Sequence, residues 1–305
     1  MKKVIWLSCR VFIMLMALSL PAYAEDCAKA TQLTQQAFDF GENPATFPEQ
    51  KRLLMQALAL CPNHPEAHNN FAWILSAEKD FPQAVTHYRA ALRAKPDYAD
   101  AWYGLGDAYQ ELKQFPLSLE AYLQVCKRDQ DARPKAITLL RNNRYNVSEA
   151  GEILNKESLL LLFDKTRRAE MNRMISDCGL RADVQPEFIF RNILFDVRQA
   201  ILQPASRPQI QEIGAALSEV KDGTIIISGH SDKQRFAEAQ TQAESDQMNL
   251  QLSQDRAETV AQELANMGIP RSRIKTAGYG TAQPEDPADT PEAYAKNRRV
   301  TISVN

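Results

Sequence analysis

A 34-residue internal period limits the N-terminal half of this chain more than any other feature. Ala67-His68-Asn69-Asn70-Phe71-Ala72 aligns with Ala101-Trp102-Tyr103-Gly104-Leu105-Gly106. At the same offset Leu75 falls on Tyr109, Phe81 on Phe115, Ala84 on Ser118, Tyr88 on Tyr122 and Ala91 on Val125. Pro62 and Pro96 are also 34 apart. A unit of this length is a helix hairpin whose apolar face is too small to stand alone, so stacked units share one core and leave a concave side. Ala72 and Gly106 permit close helix approach, and Tyr88, Phe115 and Tyr122 fill the space between units. Two clear units run over 65–98 and 99–132. A degenerate one at 31–64 keeps Ala57 and Pro62 but has Ala37-Phe38 in its first helix. Residues 133–142 read as a closing helix.

Trp102-x-x-Leu105-Gly106-x-x-Tyr109 resembles the tetratricopeptide pattern. The resemblance implies an all-α helical-hairpin array over 25–142 with a groove lined by the first helix of each hairpin. Carried onto this sequence, Glu66, Asn69, Trp73, Asp100, Tyr103, Asp107 and Gln110 face that groove. Trp73 and Tyr103 are the expected anchors for an unidentified protein or peptide partner; the alternative is that Trp73 packs within the array. His64 and His68 are four apart, a metal-compatible spacing, but no third ligand accompanies them. They are expected to be surface histidines, with no metal and no cofactor.

Lys2 and Lys3, the apolar run Val11–Leu20 and the small-x-small ending Ala22-Tyr23-Ala24 have the form of a secretory leader over 1–24. The run is short for a bilayer span of about 20 residues, and no later segment is long and apolar enough to cross. Cys27 lacks the preceding small apolar residues that a lipid anchor needs. The expectation is a soluble exported protein. Removing Lys2, Lys3 and Arg10 leaves 33 basic against 38 acidic side chains. Such a balance gives no bias toward nucleic acid or anionic lipid. Export leaves Cys27, Cys61, Cys126 and Cys178, an even set that favours disulfides in an oxidising compartment. Three pairings are possible. Cys27 precedes one helix and Cys61 closes the next, so antiparallel packing favours Cys27–Cys61 with Cys126–Cys178. The alternative is buried reduced thiols.

Residues 143–185 lack the repeat and read as a helical connector, with helices at Ser148–Leu162 and about 164–177, the second ending at Cys178-Gly179. Beyond Pro186, strand and helix patterns alternate. Phe188–Phe195 has strand composition and Pro208–Val220 is an amphipathic helix. Thr224–Ser228 is a β-branched strand, and a long helix reaches Gly268. Ile274–Ala277 and Arg299–Val304 are further strands. The pattern is that of an α/β sandwich.

Gly229-His230-Ser231-Asp232, Asn249-x-x-Leu252-Ser253-x-x-Arg256-Ala257 and Asn297-Arg298-Arg299-Val300 follow in order, with Gly278-Tyr279-Gly280 and Pro284 between the last two. Together they resemble the OmpA-like peptidoglycan-binding domain of OmpA, Pal and MotB, over 186–305. The resemblance implies that the ligand is the meso-diaminopimelate of the murein stem peptide, whose uncrosslinked tip carries an ammonium and a carboxylate. It places Asp232 as ammonium acceptor, Arg256 as the fork on the carboxylate, Asn249 as a neutral partner at a helix start, and Arg298 as a second cation. The helix N-terminus is expected to add free N–H groups and a positive dipole end. The alternative is that Asp232 and Arg256 merely pair with each other. Arg299 is expected to support the sheet and His230 the turn. Sixteen residues, 233–248, separate Asp232 from Asn249, about twice the usual interval, and the family's Gly in this loop is absent. Ser231 replaces the family's Thr.

No motif of hydrolytic catalysis is present. The reading is a non-catalytic adaptor binding peptidoglycan at one end and a protein at the other. The alternative is a scaffold whose OmpA-like domain no longer binds the wall.

Overall fold

A computed structural model describes residues 24–305; the expected leader therefore falls almost entirely outside the described residues. The described chain forms two compact units that divide between Leu112 and Lys113.

The first unit is helical. Helix α1 (24–38) is followed by α2 (Phe47–Leu60), α3 (Pro65–Ala77), α4 (Phe81–Ala94) and α5 (Ala99–Glu111). Ala30, Thr34 and Ala37 recur at helical spacing and are buried, giving α1 a narrow inward stripe. Proline occupies the first turn of α2, α3 and α4, where its missing N–H costs no helical bond. Cys27 and Cys61 are bonded, with Cα atoms 4.9 Å apart, tying the start of α1 to the end of α2 as expected. Between α4 and α5 the close approach occurs at Gly104. A Cβ there would lie 2.4 Å from the ring of the buried Tyr88.

The histidines are not surface groups. His64 is buried, caps α3 by accepting from the Ala67 amide at 3.2 Å, and meets Thr31 Oγ1 at 2.9 Å. His68 is half-buried. Its Nε2 meets the Pro62 carbonyl at 2.9 Å and its Nδ1 meets His87 Nδ1 at 3.0 Å. His68 Nε2 must donate to that carbonyl, so the proton shared by the two Nδ1 atoms comes from His87. Phe71 stacks on His87 with ring centroids 4.6 Å apart.

The second unit opens with α6 (Phe115–Val125) and α7 (Ala132–Arg141), the latter at the expected closing helix. The connector differs from expectation. Val147–Ser148 is strand β1, and the helix begins only at α8 (Lys156–Phe163). Gly151, at φ +84°, breaks the intervening chain, and Asn155 caps α8 by accepting from the Ser158 amide at 2.9 Å. Helix α9 (Lys165–Asp177) ends as expected at Cys178-Gly179, with Gly179 left-handed. Cys126 and Cys178 are bonded, with Cα atoms 5.9 Å apart.

A five-stranded mixed sheet follows from β1, β2 (Glu187–Phe190), β3 (Ile225–Gly229), β4 (Ile274–Gly278) and β5 (Val300–Val304). Its order is β1-β2-β5-β3-β4, with β1/β2 and β3/β4 parallel and β5 antiparallel to both neighbours. The connector thus supplies the edge strand. Helices α10 (Arg207–Glu219), α11 (Gln242–Asn266) and α12 (Pro291–Asn297) complete the unit, with α11 packed on β3 and β4. The short strand expected over Phe188–Phe195 stops at Phe190. The fold is an all-α repeat array followed by an α/β domain, as the sequence indicates.

Two strand-end glycines set the depth of α11. Gly229 and Gly278 are register partners. A Cβ on Gly229 would lie 2.0 Å from the Ser253 carbonyl oxygen, and one on Gly278 would lie 2.5 Å from the Gln254 amide nitrogen. Neither helix backbone atom can yield as a side-chain tip would. Gly229→Ala should therefore destabilise the second unit by about 3 kcal/mol, measured by chemical denaturation. A loss below about 0.5 kcal/mol would show that α11 is free to lift.

A pH effect follows in the first unit. Burial, with the His68 charge adding to it, pushes His87 from its ordinary 6.5 down to about 4. His68 is also lowered by burial, with Arg93 and His64 contributing and the Pro62 carbonyl opposing. The unfolded chain therefore takes up these protons first. Stability is fully present above about pH 6.5 and is lost as pH falls toward 4. Amide protection in α3 and α4, measured relative to the intrinsic exchange rate at each pH, should fall between pH 7 and pH 5, and His87→Gln should weaken that dependence. An unchanged profile in the variant would contradict the assignment.

Candidate ligand cleft of the second unit

The turn after β3 and the middle of α11 meet at a cleft of about 460 Å³. Asp232, Asn249, Arg256 and Arg298 all line it, so the four residues singled out in the sequence converge. Asp232, Asn249 and Arg256 are buried, whereas Arg298 is exposed.

Asp232 accepts from the Gln234 amide through Oδ1 at 2.9 Å and from Arg298 Nη1 through Oδ2 at 2.7 Å. The ion pair thus forms with Arg298, overturning the alternative of an Asp232–Arg256 pair. Arg256 is held differently. Its Nε donates to the Gln199 carbonyl at 3.1 Å, and its guanidinium carbon lies 5.1 Å from the Phe195 ring centroid. Burial holds this guanidinium below its ordinary range; Asp232 counteracts that shift and Arg298 adds to it. It remains a cation at any working pH. Gln199 and Phe195 orient the Arg256 fork while leaving it without a carboxylate bonded to it.

Asn249 Nδ2 and Ser231 Oγ are buried here without a hydrogen-bond partner. An unmet buried polar group costs about 1–3 kcal/mol.

The helix-start expectation for Asn249 is corrected. Helix α11 begins at Gln242, capped by Thr241, which accepts from the Glu244 amide at 3.2 Å. The Glu244 carboxylate in turn accepts from the Gln240 amide at 2.7 Å. The free N–H groups and dipole end therefore lie eight residues, or about 12 Å, before Asn249. The long 233–248 segment divides into these added turns and a loop. Gln234, Arg235 and Phe236 of that loop wall the cleft, and the Phe236 amide donates to the buried Ser245 hydroxyl at 3.0 Å.

Phe195 was not expected at the cleft; Leu252 was named only as part of a motif, and residues 234–236 only as part of the long 233–248 segment. Leu252 was legible, since 249, 252 and 256 share one helix face. Phe195 was not, because the loop beyond β2 shows no periodicity. Arg299 donates to the Asn297 and Gln283 carbonyls, both outside the strands. His230 holds its turn through its backbone amide, which donates to the Arg299 carbonyl at 3.0 Å.

In the first unit Glu66, Asn69, Trp73 and Asp100 line one pocket of about 540 Å³, together with Phe38, Leu54 and Tyr98. Trp73 is half-buried and packs edge-on against Phe47 at 5.7 Å, so it belongs to both array and groove. Tyr103, Asp107 and Gln110 are half-buried further along α5 and do not line that pocket. Sequence reasoning missed the contribution of α1.

Comparison with known proteins finds two kinds of match. Residues 194–298 match the OmpA family, and 53–86, 74–113 and 99–131 match tetratricopeptide repeat models. The chain therefore carries an OmpA domain preceded by tetratricopeptide repeats. Probable lipoprotein YiaD of Escherichia coli is 32% identical over 114 residues, covering 37% of this chain and 48% of that protein. Peptidoglycan-binding protein ArfA of Mycobacterium tuberculosis is 34% identical over 113 residues, covering 37% of this chain and 32% of that protein. The match thus spans about half or a third of these relatives' own length. Among solved structures, the cell wall anchor of the T6SS from Pseudomonas aeruginosa aligns at 28% identity and a TM-score of 0.35, covering 46% of this chain and 98% of that one. No helix among the described residues is long and apolar enough to cross a membrane.

Asn249 gives a test of the cleft that needs no ligand. Asn249→Leu removes the unmet amide at similar volume and should raise Tm by about 2 °C or more. A lower Tm would show that the amide is already satisfied.

Proposed function

We propose that the protein is a non-catalytic periplasmic adaptor. The second unit grips peptidoglycan by the zwitterionic tip of meso-diaminopimelate, and the repeat groove holds a protein partner. The observation that carries the reading is a buried guanidinium with no bonded carboxylate, in the same cleft as a buried carboxylate and an unmet amide. In this reading the ligand carboxylate takes the Arg256 fork and the Asn249 amide. The ligand ammonium takes Asp232, sharing or displacing the exposed Arg298. The name of ArfA supports the ligand class. The two disulfides support an oxidising compartment. The working division into repeats (25–142), connector (143–185) and wall-binding segment (186–305) belongs to the same proposal.

In the groove, Trp73 and Phe38 offer apolar anchors and Asn69 an amide for a partner backbone. The competing reading is a scaffold without wall affinity. Retention on purified sacculi separates the two. The wild-type chain should be retained, and the Asp232→Ala, Arg256→Ala double variant should lose at least about tenfold. Equal retention of both proteins would contradict wall binding through this cleft.

A further inference from the structure

Arg256 and Arg298 also line a second cleft, of about 430 Å³. Its other charged walls are Arg191, Lys296 and Arg299, set against Glu149 and Glu292. Several of these cations are already answered. Arg191 pairs with Glu149 and Glu285, Lys296 with Asp286 at 2.8 Å, and Arg299 Nε lies 3.7 Å from Glu285. Four buried nitrogens nonetheless lack a hydrogen bond, and only those of His230 also lack an ion-pair partner. Both ring nitrogens of His230 and the Nε atoms of Arg191 and Arg299 are buried with no hydrogen-bond partner.

His230 is the informative one. It is 4% exposed, and its ring is held by stacking on Tyr279 at 5.3 Å and 17°. Burial, with the Arg299 charge adding to it, pushes its pKa down to about 3. It therefore stays neutral at working pH and offers one N–H donor that nothing in the protein accepts. An unmet buried donor lining a cleft that guanidiniums also line suits an anion that can take both kinds of bond. Ile193, Leu194 and Phe195 also line the cleft and give it an apolar portion, which suits a small side chain next to that anion.

We propose that this cleft is a second carboxylate subsite, occupied by a further carboxylate of the stem peptide whose diaminopimelate tip fills the first cleft. The inference rests on the wall-binding reading above. The two shared guanidiniums place both clefts within reach of one peptide. Two carboxylates qualify chemically: the C-terminal one of the D-alanine that follows diaminopimelate, and the α-carboxylate of the γ-linked D-glutamate before it.

Calorimetry on the full chain tests this with four probes. They are free meso-diaminopimelate, the L-Ala-γ-D-Glu-diaminopimelate tripeptide, the same tripeptide with its D-Glu carboxylate amidated, and the tetrapeptide ending in D-alanine. The readout is the affinity ratio of peptide to free amino acid within each protein. In the wild type this ratio should be about tenfold for at least one peptide. A gain that first appears with the tetrapeptide assigns the terminal carboxylate. A gain already in the tripeptide and lost on amidation assigns D-glutamate. His230→Phe and, on the exposed rim, Lys296→Glu should each reduce the ratio toward one; the rim variant guards against a folding defect in the buried one. If free diaminopimelate binds and every peptide binds equally, or if both variants keep the ratio, the second subsite is overturned while wall binding stands. If no probe produces heat, both readings fall.

Discussion

The close seat of α11 on the ends of β3 and β4 is the contact on which the ligand cleft depends. Gly229 and Gly278 carry no Cβ where the helix backbone at Ser253 and Gln254 comes down on the sheet. Ser253 locks the same seam by donating to the Leu250 carbonyl at 2.8 Å and accepting from the Gly280 amide at 2.9 Å. Asn249 lies one turn before this seam and Arg256 one turn after it. The turn that follows Gly229 carries Asp232. The spacing between acid and guanidinium is thus set by backbone contact and not by attraction between them.

That arrangement holds the Asp232 carboxylate and the Arg256 guanidinium in one cleft without pairing them with each other. Asp232 is paired with Arg298, a cation that stays exposed to solvent. Arg256 is oriented by a carbonyl and an aromatic ring, so its charge stays available. The protein thereby holds unmet polar groups, Asn249 and Ser231 in one cleft and His230 in the next, that a tightly self-satisfied fold would not keep.

Much of this was legible from residues alone. The 34-residue period located the helices, and the β-branched runs at 225–228 and 300–304 located two central strands. The helix-end positions of the cysteines indicated their pairing. The degenerate first unit was more legible than it seemed, since Phe47-Pro48, Phe81-Pro82 and Phe115-Pro116 open the second helices at the same 34-residue offset. Strand β1 was not legible, because two residues carry no period and only their pairing with β2 defines them. The true start of α11 was marked by the Thr241…Glu244 cap. The Ala- and Glu-rich composition of 233–248 masked the division of that segment between loop and helix. His230 was read for its turn, which its backbone alone holds. Its ring environment depends on Tyr279 and Arg299, brought in from β-strand neighbours far along the chain.

Chemical-shift mapping of the amide spectrum during titration with meso-diaminopimelate tests the account most directly. The expected result is saturable shifts concentrated at Ser231–Gln234, Asn249–Arg256 and Arg298, with the first unit unaffected. A spectrum unchanged at millimolar ligand, or shifts confined to other surfaces, would contradict it.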